Sequence, residues 1–240
     1  MSWLTPSGGL VYHLRALRYR ARLWAPFRDA LAAWLERSLA GASGELVLIG
    51  PSAGHCLPLS VLRRFERLTA LEPDPLARAL LRSRLGRKLE LHREDLLLQP
   101  QLTGTPGLAE LLAQRPEACV LFCNVLGQLH FALSDEQHEL FQRRFRERVV
   151  PQLRGRRWAS FHDRWSLDWQ AEEPLPSPRR FFRRPSDEEL GRACFGAEGP
   201  PLEVIDHGTS ELFPAELSHD YFCWQLTPRS LHLVEAVTGA

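Results

Sequence analysis

The sequence predicts an α/β protein with a doubly wound, mostly parallel sheet, a C-terminal antiparallel hairpin and an N-terminal helical extension. Three observations support this fold class. Short apolar runs alternate along the chain with stretches of helical period. The first of these runs, Leu46–Ile49, ends at a glycine, which permits the sharp turn that follows a strand in such sheets. Two β-rich segments, separated by Pro228 and Arg229, lie at the end of the sequence.

Length, charge and cysteine content limit the class of protein. The 240 residues suit one domain, which we expect to comprise a helical cap over 1–44 and an α/β domain over 45–240. A formal net charge of +1 argues against a dedicated nucleic-acid binder. The five cysteines form no C-x-x-C pair, and no apolar run approaches the roughly 18 residues of a membrane span. We therefore expect a soluble, cytoplasmic protein without a metal centre, and neither a membrane nor a nucleic acid as its partner.

The first half of the chain predicts a long helix followed by alternating strands and helices. Leucines and tryptophans recur at three- and four-residue steps over 10–40, and Gly41 ends that helix. Asp74 is a suitable N-cap for a later helix, and Pro75 a suitable first residue. The further elements predicted here are strand 46–49, a helix after Gly54 to about Arg64, strand 68–72, a helix from Pro75 to near Gly86, and strand 89–95.

The second half continues the alternation and ends in antiparallel strands. The apolar run 118–124 is typical of a central strand that is covered on both faces. Ser134 and Ser186 each begin a capping box that starts a helix. Residues 164–185 are rich in Pro, Arg and Trp, and they form either a lid-like insertion over a substrate or a long surface connection. The other elements predicted here are a helix near 107–114, a helix from 134 to about 148, a fifth strand 157–161, and hairpin strands 221–227 and 230–236.

Four residues suited to ligand binding follow successive predicted strands: Gly50, Glu72, Asp95 and Asn124. Ligands of open α/β sheets bind beyond the carboxyl ends of the strands, where these residues would meet. A glycine lets the backbone approach a ligand closely, and a carboxylate about 20 residues later can hold two ribose hydroxyls. The pattern therefore predicts a site for a ligand that contains a nucleoside.

This arrangement resembles the class I S-adenosylmethionine-dependent methyltransferases, a family with a seven-stranded Rossmann-like sheet. The resemblance covers about 45–165 by motif and 220–240 by the hairpin. It implies methyl transfer to a small-molecule acceptor, with S-adenosylmethionine as the cofactor. The residues that it implies for the cofactor are Gly50, Pro51, Ser52, Ala53 and Gly54 under the methionine and ribose, Glu72 at the ribose hydroxyls, Asp95 or its neighbour Glu94 at the adenine amino group, and Asn124 between cofactor and substrate.

Three departures from the family pattern keep other functions open. Leu48 stands where the family usually carries an acid, Ser52 replaces the middle glycine of the loop, and His55 follows Gly54 in place of a third glycine. These departures favour a catalytically silent binding or scaffold protein with this fold, and a protein or RNA methyltransferase is a third possibility. A dinucleotide dehydrogenase needs the missing third glycine, and a P-loop needs a Gly-Lys-Ser/Thr sequence that is absent here.

Methyl transfer from a sulfonium is an in-line displacement, so positioning and exclusion of water carry most of the catalysis. A general base helps when the acceptor still holds a proton. The candidates for this role are His130, and His162 with Asp163 beside it. Tyr12 on the first helix and Trp165 in the aromatic segment are candidates for enclosing the acceptor. Each of these side chains could instead be structural, as a polar group satisfied at the end of an element or as an aromatic ring in the core.

Overall fold

The computed structural model describes residues 9–98, 107–170, 174–197, 199–200 and 203–239, without the side chain of His130. Within these residues nine strands form one sheet. The strands are β1 (Glu45–Ile49), β2 (Arg67–Leu71), β3 (Leu89–His92), β4 (Cys119–Cys123), β5 (Trp158–Asp168), β6 (Arg179–Phe181), β7 (Val204–Asp206), β8 (His219–Thr227) and β9 (Ser230–Gly239). Their order across the sheet is β3-β2-β1-β4-β5-β9-β8-β6, and β7 also pairs with β5.

The strand directions confirm the predicted doubly wound, mostly parallel sheet with an antiparallel hairpin. Strands β1 to β5 run parallel, and β9 lies antiparallel between β5 and β8. The chain begins the sheet at β1, builds outwards to β3 and then returns to β4 on the other side of β1. The strand order therefore reverses between β1 and β4. The short strands β6 and β7 extend the seven strands that the family resemblance implied.

The helices confirm the N-terminal helical extension but differ from the sequence prediction in length. The α-helices of the described residues are α1 (Gly9–Tyr19), α2 (Ala25–Ser38), α3 (Leu59–Leu62), α4 (Pro75–Leu85), α5 (Leu108–Ala113), α6 (Asp135–Arg144) and α7 (Asp187–Phe195). The single helix predicted over 10–40 is wrong, because Pro26 in the first turn of α2 cannot donate a hydrogen bond to a preceding turn. The helix predicted after Gly54 is reduced to the single turn of α3, which begins only after Pro58.

Side-chain caps fix two helix starts where the sequence predicts them. The Oγ of Ser134 accepts from the amide of Gln137 at 3.4 Å, and Oε1 of Gln137 accepts from the amide of Ser134 at 3.1 Å. The Oγ of Ser186 accepts from the amide of Glu189 at 3.2 Å. The helix predicted from 134 to about 148 has two parts. Its first part is the α-helix α6, and the chain then continues as a π-helix over Phe145–Val149.

The sheet is buried on both faces. Along β1, Leu46 and Leu48 pack with α2 on one face, and Val47 and Ile49 pack with α5 and α6 on the other. None of the four is more than 1% exposed, which explains why the strands are continuous apolar runs instead of alternating ones. None of the helices in the described parts of the chain combines the length and the apolarity that a membrane span needs.

Strand β5 is longer than the sequence predicts, and it is irregular. It passes the predicted end at 161, so the first part of the segment expected to be a lid, 164–168, is strand. The prediction of a lid-like insertion over 164–185 is therefore wrong for 164–168, which belong to the sheet. A β-bulge lies between Asp163 and Trp165, where the register with β9 shifts. A bulge reverses the faces to which the following side chains point, and this determines which residues reach the site.

Candidate active site

A cavity of about 530 Å³ lies at the carboxyl ends of β1, β2, β4 and β5. Helix α1 contributes Gly9, Tyr12 and Arg15 to its wall, and the β8–β9 hairpin contributes Trp224 and His232. The cavity lies where the strand order reverses, which is where ligands bind in sheets of this kind. Its volume is within the range of cofactor and small-molecule sites.

The turn after β1 brings backbone to the cavity. Gly50, Pro51 and Ser52 line it. Gly50 has a φ of +61°, and a Cβ there would overlap the Cβ of Val125. Glycine is thus required at this position for packing against the segment after β4, whether or not a ligand is bound. Ser52 has a φ of 49°, which is uncommon for a residue with a side chain.

Glu72 is the acid that follows β2, and it is 6% exposed. Its Oε2 accepts from the amide of Ser52 at 2.7 Å, and its Oε1 accepts from the amide of Asp74 at 3.0 Å. Burial raises the pKa of Glu72 to about 7, because the two amide donors only partly offset the loss of water. An ionised carboxylate has about four acceptor positions, so this one can accept two further hydroxyl hydrogens.

Asp163 on β5 is a fully buried acid in the cavity wall. Its Oδ2 accepts from Nδ2 of Asn124 at 3.1 Å and from Nε2 of Gln128 at 2.6 Å. The Nδ1 atom of His232 lies 3.1 Å from the same oxygen. Burial alone would raise the pKa of Asp163, but His232, His207 and Asn124 outweigh it and hold the pKa below its usual value. Asp163 is therefore an anion.

Asn124 fixes that carboxylate through both ends of its side chain. Its Oδ1 accepts from the amide of Asp163 at 2.7 Å, while its Nδ2 donates to the carboxylate. It does so at a φ of 58°, a strained conformation that costs on the order of 1–3 kcal/mol and persists only where surrounding contacts impose it. The Oδ1 atom of Asp163 is buried, and it has no hydrogen-bond partner in the described part of the chain.

Beyond the bulge, β5 turns Ser166 towards the cavity. The Oγ of Ser166 lies 3.1 Å from Nε2 of His207, and Nδ1 of His207 lies 2.6 Å from the carbonyl oxygen of Gly127. A carbonyl can only accept, so Nδ1 carries a hydrogen, and Nε2 shares a hydrogen bond with the hydroxyl of Ser166. A Cβ on Gly127 would lie 2.7 Å from the amide nitrogen of Asp163, so this glycine allows the turn to pack directly on β5.

Helix α1 is joined to the loop after β1 by aromatic and imidazole contacts. The Nδ1 atom of His13 lies 3.1 Å from Nε2 of His55. The ring of Tyr12 stacks on that of Trp24 with the centroids 5.6 Å apart. Burial, and then the neighbouring His13, lowers the pKa of His55 to about 4, so His55 is uncharged at neutral pH. These contacts make α1 a wall of the cavity.

Several predicted site residues come together at this cavity: Tyr12, Gly50, Pro51, Ser52, Glu72, Asn124 and Asp163. Ala53 and Gly54 do not line it, and the carbonyl of Ala53 accepts from Nη1 of Arg84 at 2.9 Å. Asp95 is also away from the cavity, because it lies past the end of β3 and accepts from the amide of Leu98 at 2.9 Å. His130 belongs to the 3-10 helix Leu126–Phe131, but its side chain lies outside the described residues, and its role stays a prediction.

The structure corrects the predicted roles of His162 and Trp165. His162 alternates with Phe161 and Asp163, which line the cavity, so its ring lies on the other face of the sheet. There it is fully buried, with Nε2 3.2 Å from Oε2 of Glu235, and cannot act on a ligand in the cavity. A regular strand would place Trp165 on the cavity face, but the bulge moves it into an apolar cluster on the opposite face.

Sequence reasoning missed His232, Ser166 and His207. The signal for His232 was a polar residue between Leu231 and Leu233 in an apolar strand. That signal does not predict which residue lies opposite His232, because its pairing with Ser166 depends on the register between β5 and β9. The reversal of faces at the bulge has no sequence signature here that we could identify.

Among the charged groups of the cavity wall, carboxyl groups outnumber basic side chains. Glu72, Asp74 and Asp163 contribute carboxylates, and Arg15 is the only Arg or Lys among the described lining residues. A wall of this charge attracts cationic ligands and disfavours phosphates.

Comparisons with known proteins give structural resemblances only. No protein-family model and no curated protein matches the chain. DhpI, solved with SAM and HEP, is 18% identical, covering 95% of this chain and 94% of its own, with a TM-score of 0.46. The N-methyltransferase NodS from Bradyrhizobium japonicum is 14% identical, and the match covers 90% of this chain and 97% of NodS with a TM-score of 0.45. CalS10, a SAM-bound amino pentose methyltransferase from Micromonospora echinaspora, is 16% identical. The match covers 95% of this chain and 96% of CalS10, with a TM-score of 0.44. At these values the resemblance by itself assigns neither an activity nor a ligand to this chain.

Proposed function

We propose that the protein transfers a methyl group from S-adenosylmethionine to a small-molecule acceptor. The observation that carries the proposal is the buried carboxylate of Glu72, which lines a cavity at the reversal of the strand order. A nucleoside offers two ribose hydroxyls as donors, and Glu72 keeps acceptor positions for both. The backbone of Gly50 and Ser52 would lie beside the same part of the cofactor.

The charge of the wall supports a cationic cofactor. When bound, S-adenosylmethionine supplies an electrophilic methyl group on a positively charged sulfur. Asp74 and Asp163 contribute carboxylates to the wall, and these offset positive charge in the cavity. Tyr12, Phe161 and Trp224 line the cavity, and with a ligand bound their rings would displace water from the reacting groups.

The same wall argues against a dinucleotide. A pyrophosphate needs the amides at the start of a helix, and α3 is a single turn of four residues. The three carboxylates of the wall would also repel the pyrophosphate. The local backbone and the charge therefore both favour S-adenosylmethionine.

Isothermal titration of the purified protein with S-adenosylmethionine and S-adenosylhomocysteine tests the proposal. We expect Glu72→Gln to weaken binding of both by about 10- to 100-fold, because hydrogen bonds to a charged group contribute about 1.5–3 kcal/mol. The matched control is Glu66→Gln, an exposed carboxylate next to the start of β2, which should bind like the parent. No binding by the parent, or equal binding by Glu72→Gln, would refute the proposal.

A catalytically silent protein that binds S-adenosylmethionine is the second candidate, favoured by Leu48 and by Ser52. The amide of Ser52 is already used by Glu72 at 2.7 Å, and Leu48 is fully buried in the core. Neither residue offers a carboxylate for the ammonium group of the cofactor. Micromolar binding without any S-adenosylhomocysteine formed across an acceptor panel would favour this candidate.

We also propose that the protein acts in the cytoplasm. All five cysteines are free and buried, as expected in a reducing compartment. Cell fractionation of its host with a tagged chain tests this, and recovery outside the cytoplasmic fraction would contradict it.

A further inference from the structure

His232 lines the cavity from a strand that is separated from β2, the strand before Glu72, by three other strands. It is on β9, paired in register with Ser166 of β5, and its side chain is 12% exposed and lines the cavity. In the sheet, β1 and β4 lie between β2 and β5. Because β9 follows β5 in the sheet, four steps between neighbouring strands at about 4.8 Å separate β2 from β9 by roughly 19 Å. If Glu72 holds the ribose, as the proposed function requires, His232 is at the acceptor end.

Asp163 determines which nitrogen of His232 is available. Nδ1 of His232 is buried 3.1 Å from Oδ2 of Asp163, which Asn124 and Gln128 fix in place. An anion beside Nδ1 favours the tautomer with the hydrogen on that nitrogen, which leaves the lone pair on Nε2. Among the described residues, the titratable side chains beside the His232 ring are Asp163 and His207. The ring centroids of His207 and His232 are 5.9 Å apart. His232 is thus an imidazole whose Nδ1 faces an anion, an arrangement that leaves Nε2 as the nitrogen able to accept a proton.

The charge at this end indicates the class of acceptor. Oδ1 of the buried Asp163 has no hydrogen-bond partner among the described residues, and a cationic N–H donor would satisfy both its hydrogen bonding and its charge. The rings of Phe161, Trp224 and Phe131 line the same cavity and attract cations. An alcohol would satisfy the hydrogen bond but leave the charge of Asp163 without a partner.

We propose that the acceptor is a small amine bound as its ammonium ion and that His232 is the general base. This inference rests on the proposed function. An N–H bond of the ammonium breaks, its electron pair stays on nitrogen, and the proton passes to Nε2 of His232. The nitrogen lone pair then forms the N–C bond to the methyl group while the S–C bond breaks and sulfur keeps that pair. The products are the methylated ammonium ion and S-adenosylhomocysteine, and His232 releases its proton to solvent.

The first test measures binding without turnover. The protein saturated with S-adenosylhomocysteine is titrated calorimetrically with benzylamine, cyclohexylamine and glucosamine, and with benzyl alcohol, cyclohexanol and glucose as the matched neutral compounds. We expect at least one amine to bind 10-fold or more tightly than its alcohol, and Asp163→Asn to remove that preference. Equal affinity for amines and alcohols, or binding of neither, overturns the inference.

The second test measures the base. With the best amine, His232→Gln should lower kcat by about 100-fold or more and remove the pH-dependent limb of the kcat profile. Its affinity for S-adenosylmethionine should stay within twofold of the parent. The matched control is His92→Gln, on β3 and away from the cavity, which should keep the parent profile. A parent-like kcat in His232→Gln, or methylation of alcohols alone, overturns this inference and leaves cofactor binding by Glu72 intact.

A third measurement separates the base from a metal ligand. Ligand atoms of Asp163, His207 and His232 lie within 4.8 Å of one another, as a metal site could require. We expect the parent to keep its amine methylation after exhaustive treatment with EDTA. Loss of activity that Zn²⁺ or Mn²⁺ restores in the parent would overturn the assignment of His232 as the base.

Discussion

At the scale of single residues, Glu72 makes stability depend on pH in an unusual direction. Its pKa is about 7 in the folded protein, against the ordinary value of 4.5 that the carboxyl has in the unfolded chain. The folded protein therefore binds more protons between these values, and its stability falls as the pH rises from about 4.5 to about 7. The site retains a buried charge that weakens the free protein in exchange for ligand binding.

Glu72→Gln tests this dependence. The variant has no carboxylate to desolvate, so its free energy of unfolding should rise relative to that of the parent by about 3 kcal/mol between pH 4.5 and pH 8. Urea unfolding of both proteins at these two pH values measures the change, and all other titrating groups cancel in the comparison. Parallel pH dependence of the two proteins would show that Glu72 titrates normally in the fold.

Gly127 is a second residue whose effect can be predicted. Its absent Cβ leaves room for the backbone of Asp163, 2.7 Å from where that atom would lie. We expect Gly127→Ala to cost about 1–3 kcal/mol of stability by overpacking and to displace Asp163 from its donors. Chemical denaturation and calorimetric titration with benzylamine check the two effects. Gly41→Ala, with no atom within 4 Å of the new Cβ, should incur only the cost of its left-handed backbone, about 1 kcal/mol, and bind the amine normally.

At the scale of elements, a buried polar network joins β5, β8 and β9 on the face opposite the cavity. Oε1 of Glu235 accepts from Tyr221 at 2.8 Å and lies 2.6 Å from Nδ1 of His219, while His162 lies 3.2 Å from Oε2. Burial would raise the pKa of Glu235, but the contacts with His162 and His219 outweigh it and hold the pKa well below its usual value. The three strands are thus joined by one satisfied carboxylate.

Glu235→Gln should destabilise the protein by about 3–5 kcal/mol at pH 7, because it breaks a buried pair and leaves its partners unsatisfied. A carboxyl with a lowered pKa stabilises the fold above its unfolded pKa of 4.5, and this contribution is lost as the pH falls below that value. The difference between variant and parent should therefore shrink at pH 3. Tyr221→Phe removes only one donor and should cost about 1 kcal/mol. Unfolding curves at both pH values check this, and a pH-independent difference would contradict it.

Elements also show what the sequence could predict. Gly50, Glu72 and Asn124 were predicted at the site because each follows an apolar run, and parallel strands bring their carboxyl ends together. Trp165 was misplaced because a bulge reverses the alternation that the prediction assumed. Asp95 was misplaced because β3 ends at His92, whereas the alternation of polar and apolar residues predicted a strand that continued to 95. Alternation identifies strands, but it does not identify their ends or irregularities.

At the scale of the whole molecule, binding should raise the stability of the entire fold. A ligand at 100 times its Kd contributes about 2.7 kcal/mol, which corresponds to a rise in Tm of roughly 5–10 °C for a chain of this size. We expect S-adenosylhomocysteine to produce this rise in the parent and in Glu66→Gln. Glu72→Gln at the same concentration should show a smaller rise. Differential scanning calorimetry measures the three shifts, and equal shifts in all three proteins would contradict the placement of the ribose at Glu72.

Strand β9 lies between β5 and β8 and supplies His232 to a cavity whose other end is built by β1 and β2. The pairing of β5 with β9 joins residues far apart in the chain, whereas β1 and β2 are neighbours in sequence. The two ends of the cavity therefore depend on strand pairings that differ in their separation along the chain. A chain whose hairpin has detached would still bind a nucleoside through Glu72 while losing its means of removing a proton, so occupancy and turnover can be separated within one polypeptide.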